Sequence, residues 1–141
     1  MTLTGEDMAG LLQAQHLYGH VLDHFLWDKL GEVFARDGVF DPSDVGLPVM
    51  RGVEEIRRGL ARLEEDAAHG KLLNHIATNP AVIAVGEDGV VKMRAKYIVT
   101  SDPDSVSFGE YEDDMVKTPD GWRIQYRKTR RRTRHRLERI K

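Results

Sequence analysis

The sequence predicts an α+β domain, a curved, cone-like antiparallel sheet wrapped around helices in the order α-α-β-α-β-β-β-β. Two observations carry this prediction. Apolar residues in the first half recur at helical intervals, whereas those in the second half recur at every other position. The helical runs also precede most of the strand runs instead of alternating with them, which favours helices gathered on one side of an antiparallel sheet. A length of 141 residues suits one such domain with a single core.

From Glu6 to about Trp27, the residues Met8, Leu11, Leu12, Tyr18, Leu22, Phe25 and Leu26 trace one long amphipathic helix. Thr4 is its expected N-cap, with Glu6 and Asp7 favouring the positive end of the dipole. A short helix over about Asp28–Ala35 follows, then a short strand at Val39-Phe40 stopped by Asp41-Pro42. Residues 42–50 hold two prolines and a glycine and read as an irregular loop. A third helix, Val53 to about Ala68, sets Ile56, Leu60 and Leu63 on one face.

Four strands fill the remainder. Leu72–Val85 contains Pro80, which requires a bulge or a sheet edge. In the next, Val91, Met93, Ala95, Tyr97 and Val99 alternate with Lys92, Arg94 and Lys96. Val106–Lys117 and Trp122 to about Thr129 complete the set, with Trp122, Ile124 and Tyr126 on one side of the last. Gly86-Glu87-Asp88-Gly89 and Thr118-Pro119-Asp120-Gly121 supply the turns. A sheet curved against the first helix leaves a hollow between them, the place to look for function.

Composition excludes several chemistries. The chain has no cysteine, so disulfides, thiolate metal sites and a cysteine nucleophile are absent. No apolar run approaches the roughly 20 residues of a membrane helix, and Met1–Gly10 carries acids but no basic residue. A cytoplasmic protein without membrane contact is expected. Charge is unevenly spread: Arg127–Lys141 carries +8, against −10 for the rest. Residues 1–129 are expected to form the domain and 130–141 a basic extension. No aromatic residues interleave with its arginines, so nucleic acid is not the expected partner. His16, His20 and Asp23 share a helix face, but one helix alone is a poor metal cage and no metal is expected.

Several segments resemble a known family. Leu17-Tyr18-Gly19-His20-Val21-Leu22-Asp23 and Phe34-Ala35-Arg36-Asp37-Gly38-Val39-Phe40 resemble the opening of SnoaL-like proteins of the nuclear transport factor 2-like superfamily. So do Gly52-Val53-Glu54-Glu55-Ile56, His75-Ile76-Ala77-Thr78-Asn79, and Gly109-Glu110-Tyr111-Glu112-Asp113 followed by Asp120-Gly121-Trp122-Arg123-Ile124. The resemblance spans nearly the whole chain and implies a cystatin-like α+β roll. Within it, the pattern is similar to the scytalone dehydratase and bile-acid dehydratase branch, and to hexachlorocyclohexane dehydrochlorinase. Those enzymes pair an aspartate near the end of the first helix with a strand histidine, here matched by Asp23 and His75, with Tyr18 at a tyrosine position. A second strand histidine used by scytalone dehydratase has no counterpart, since none lies between His75 and His135.

These residues carry a definite chemistry. Asp23 and His75 both sit in apolar segments, where an unpaired charge is costly. Together they form the orienter and base of a triad without a nucleophile, suited to removing a proton next to a carbonyl. A phenol then holds the enolate: Tyr18 first, Tyr97 second. Tyr97, Tyr111, Asp113, Trp27 and Met93 are the expected substrate contacts. The resulting expectation is a cofactor-independent lyase, dehydratase-like, or isomerase acting on a small hydrophobic carbonyl compound, as a homodimer or homotrimer. The alternatives are a non-catalytic ligand-binding or accessory subunit, similar to ring-hydroxylating oxygenase β subunits, and a ketosteroid-isomerase-like enzyme using a carboxylate alone.

Overall fold

A computed structural model describes residues 1–102 and 105–133 of the chain. Helix α1 spans Gly5–Asp23 and begins with a capping box: the Asp7 N–H donates to the Thr4 hydroxyl, and the Thr4 N–H donates to the Asp7 carboxylate, each at 3.0 Å. The same carboxylate receives Trp122 Nε1 at 3.1 Å and Lys117 Nζ at 3.0 Å, which ties the start of the helix to the sheet. The helix ends four residues earlier than its apolar pattern predicts. Phe25 takes a left-handed backbone (φ 58°), and the Leu26 N–H turns back to the Val21 carbonyl at 3.0 Å, a Schellman closure. Phe there costs on the order of 1–2 kcal/mol that glycine would not.

Trp27–Glu32 is a 3-10 turn and not the α-helix expected over 28–35. Strand β1 therefore starts at Phe34 and runs to Asp41, longer than Val39-Phe40. Met50–Arg51 adds a two-residue strand β2 at the end of the stretch expected to be loop. The third helix divides at Ala61 into α2 (Val53–Leu60) and α3 (Arg62–Ala68). Strands β3 (Leu72–Val85), β4 (Val91–Asp102), β5 (Ser105–Thr118) and β6 (Gly121–Arg131) follow the expected hairpins.

The six strands form one sheet in the order β2-β1-β6-β5-β4-β3. It is mixed, not purely antiparallel, because β1 pairs with β6 in parallel. Pro80 behaves as expected: β3 is an edge strand, and its register slips between Thr78 and Ala81 beside Asn79, whose φ is 53°. A second irregularity decides the site. Asp114 faces Tyr126 but Met115 faces Ile124, so Gln125 is an extra residue in β6. The slip reverses which side chains point inward. Trp122 and Ile124 are buried, and beyond the bulge it is Arg127 and Thr129, not Tyr126, that enter the interior.

The core lies between α1, α2 and the concave face, and includes Leu11, Val21, Leu30, Phe34, Ile56, Met93 and Ile124. On the outer face, Lys92, Arg94 and Lys96 of β4 sit opposite Asp114, Glu112 and Glu110 of β5, which in turn face β6. Arg130 pairs with Glu112 at 2.9 Å, and Arg132 with Glu110 at 3.6 Å. The first arginines of the basic segment thus belong to the sheet and its salt bridges. The part of that segment from 134 to 141 lies outside the described residues. Among the described residues no helix is long and apolar enough to cross a membrane.

Candidate functional site

Asp23 is the last residue of α1. A carboxylate at a helix C-terminus opposes the dipole, so its position needs donors from elsewhere, and β3 supplies them. The His75 backbone N–H donates to Asp23 Oδ2 at 2.8 Å, and His75 Nδ1 meets Asp23 Oδ1 at 2.5 Å. The Asp23 and His75 side chains are 13% and 11% exposed, so the pair is sheltered but reachable. Gly19 lets the two elements approach this closely. A Cβ there would stand 2.7 Å from the His75 carbonyl oxygen, inside van der Waals contact.

The imidazole borders an apolar cavity of about 180 Å³. Tyr18 and Leu22 of α1, Leu60 and Leu63, and Leu73, Tyr97, Val99 and Tyr111 of the sheet line it. Pro42, Val45 and Leu47 close one side. Asp41 anchors that loop by accepting the Ser43 N–H at 3.1 Å, Tyr126 Oη at 2.8 Å and Lys128 Nζ at 3.1 Å. Burial works against its charge, yet the Ser43, Tyr126 and Lys128 donors hold the carboxyl well below the usual range.

Tyr18 stands edge-on to His75, with ring centroids 6.2 Å apart. It is fully enclosed, and burial pushes its phenol up to about 12, with Arg127 and Tyr111 opposing the rise. The phenol therefore stays a neutral donor throughout the pH range in which a histidine works. Because the unfolded value is about 10, the stability tied to Tyr18 is complete below pH 10 and is lost as pH climbs towards 12. Urea unfolding of wild type at pH 8 and pH 11 is expected to show an alkaline loss that Tyr18→Phe reduces by up to about 1.4 kcal/mol.

Beneath the tyrosines lies a buried polar network that joins the expected Asp113 to two residues outside the expected site, Arg127 and Gln15. Arg127 Nε and Nη2 reach the two Asp113 oxygens at 2.8 Å each, and Nη2 also reaches Gln15 Oε1 at 3.1 Å. Gln15 Nε2 donates back to Asp113. Arg127 and Gln15 are 0% exposed and Asp113 is 3%. The guanidinium carbon is 4.3 Å from the Tyr18 ring centre and 3.9 Å from that of Tyr111, close enough for cation–π attraction. Burial disfavours its charge, but Asp113 outweighs it and raises Arg127 above its ordinary value.

The expected residues thus divide. Asp23, His75 and Tyr18 are brought together, and Tyr97 and Tyr111 line the cavity. Asp113, expected as a substrate contact, does not line this cavity, and Arg127 and Gln15 take up its oxygens. Met93 is packed in the core away from the cavity wall. Trp27 falls in the 3-10 turn, where its indole donates to Glu64 Oε2 at 3.2 Å instead of facing the cavity. His16 and His20 on α1 and His24 at its C-cap lie exposed, and among the described residues no three His, Asp or Glu side chains gather to hold a metal. Thr129, Leu60 and Leu63 join the wall unanticipated.

Solved structures share this architecture. ActVI-ORFA from Streptomyces coelicolor is 19% identical, with 90% of this chain and 96% of that one covered and a TM-score of 0.74. Aln2 from a Streptomyces species is 20% identical, with 100% of both chains covered and a TM-score of 0.71. An NTF2-like protein with a cystatin-like fold from Novosphingobium aromaticivorans is 20% identical, with 96% of this chain and 88% of that one covered and a TM-score of 0.72. At these identities the likeness is one of fold. No curated protein matches the sequence. The SnoaL-like domain profile matches residues 4–128, and the chain belongs to that family.

Proposed function

We propose that the protein is an acid–base lyase or isomerase acting on a small hydrophobic carbonyl compound, with His75 as base. The observation that carries this reading is the 2.5 Å contact of His75 Nδ1 with Asp23 Oδ1 at the border of an apolar cavity. Asp23 can only accept, so it keeps the proton on Nδ1 and leaves Nε2 bare to take a proton from carbon. The imidazolium that forms is stabilised by the carboxylate. Tyr18 donates a hydrogen bond to the enolate oxygen, where a neutral phenol in an apolar wall is most effective.

The intermediate has two balanced exits. Where a β,γ double bond extends the enolate to a dienolate, returning the proton to the γ-carbon completes an isomerisation. Delivering it to a β-hydroxyl, which leaves as water while the enolate electrons form the new double bond, completes a dehydration. In both, the base ends neutral.

Proton abstraction is readable without the natural substrate. Acetophenone in deuterated buffer is expected to exchange its methyl protons faster with wild-type protein than in buffer alone, as followed by proton NMR. His75→Ala is expected to keep the fold and return the rate to background. Equal rates for the variant and wild type would refute the assignment.

A further inference from the structure

We propose that the cavity has a second polar subsite across from His75, in which the Tyr97 phenol and the Thr129 hydroxyl meet an oxygen on the far side of the ligand. The proposal rests on the reading of the cavity as a substrate site and narrows its substrate class. Both residues line the cavity, with Tyr97 2% and Thr129 5% exposed. Both hydroxyls lack a hydrogen-bond partner among the described residues. A buried hydroxyl without a partner is an uncommon and costly feature, and two on one wall mark where a ligand oxygen belongs.

The placement is specific. His75 is on the edge strand β3, whereas Thr129 is on β6, three strands away. Tyr97 starts from β4 but lies flat across β5, stacked on Tyr111 with ring centroids 4.9 Å apart and planes at 19°. Gly109 makes this possible. A Cβ there would stand 2.8 Å from the Tyr97 oxygen, so the phenol oxygen lies over β5, towards β6. Thr129 is the β6 residue paired with Tyr111, the ring under Tyr97. Adjacent strands are about 4.8 Å apart, so β6 and β3 lie about 14 Å apart along the sheet, and the base and the Thr129 hydroxyl border the same cavity from well-separated strands. Burial raises the Tyr97 phenol, and Ser107 beside it opposes the rise without meeting hydrogen-bond geometry, which leaves a neutral donor.

Size narrows the ligand further. An apolar cavity of about 150 Å³ takes up benzene, and this one is about 180 Å³. The structure therefore assigns a single-ring compound, with its acidic C–H and carbonyl on the His75 side. A neutral oxygen, hydroxyl or carbonyl, stands across the ring. A ligand apolar at that end would leave both hydroxyls unsatisfied.

Acetophenone and para-hydroxyacetophenone differ only in that far oxygen, and their dissociation constants can be measured by ligand-observed NMR titration. Wild-type protein is expected to bind the hydroxylated probe about 10-fold more tightly, the yield of one or two well-made hydrogen bonds. Tyr97→Phe and Thr129→Val each remove one hydroxyl at nearly constant volume, and each is expected to reduce the ratio. The double variant is expected to bring it to about one. The proposal is overturned if wild type does not discriminate, if the preference survives in the double variant, or if neither probe binds at millimolar concentration. A preference that persists in His75→Ala while exchange is unaffected by that substitution would defeat the catalytic reading alone. Exchange lost in His75→Ala without any probe preference would defeat this one alone.

Discussion

Arg127→Met is expected to destabilise the fold by about 3–5 kcal/mol, because it leaves the Asp113 charge buried with Gln15 as its remaining donor. Against a total stability of about 5–15 kcal/mol for an ordinary domain, that is a large fraction. The cost comes from breaking the pair, not from the net worth of the pair. Removing both charges together, in Arg127→Met with Asp113→Leu, is expected to cost much less than the single change. Urea unfolding of the two single variants and the double variant measures the coupling directly. If Arg127→Met cost under about 1 kcal/mol, the guanidinium could not be the dry, paired group described. The same variant also withdraws the cation beneath Tyr18 and Tyr111, which carries the effect into the cavity floor.

Asp23→Asn is expected to lower the exchange rate by about 10²–10⁴ while leaving the fold in place. An amide keeps one acceptor oxygen, enough for the His75 backbone N–H, but turns its NH₂ towards Nδ1. The imidazole then accepts at Nδ1 and must carry its proton on Nε2. The nitrogen that faces the substrate would arrive already protonated. Asp23→Ala removes both interactions and also frees the strand at His75. A larger loss of stability is therefore expected from alanine than from asparagine, at similar loss of rate.

Much of this was legible in the residues, for identifiable reasons. Asp23 and His75 stand out as polar groups in apolar runs, and burial makes such groups seek each other. Thr4, Pro80 and the two glycine turns act locally, so their effects follow from their own chemistry. Arg127 was hidden twice. It falls in the last expected strand, where an arginine opening a highly charged stretch does not stand out as a core residue, and the strict alternation of β6 places it outward until Gln125 adds a residue. Thr129 was hidden by the same bulge. Gln15 shares the core-facing side of α1, yet nothing in the helix itself says that its partners are on β5 and β6. The early end of α1 depends on a left-handed Phe25, a conformation that phenylalanine does not advertise. The parallel pairing of β1 with β6 is a long-range contact, invisible to local periodicity.

The central claim is that Asp23 holds the His75 proton on Nδ1 and leaves Nε2 bare beside the cavity. Nitrogen-15 NMR of histidine-labelled protein tests this most directly, since the two ring nitrogens report their protonation separately. The expected spectrum of neutral His75 has its proton on Nδ1, shifted far downfield by the carboxylate, and Asp23→Asn moves it to Nε2. A wild-type proton on Nε2, or a His75 signal indifferent to Asp23→Asn, would contradict the account.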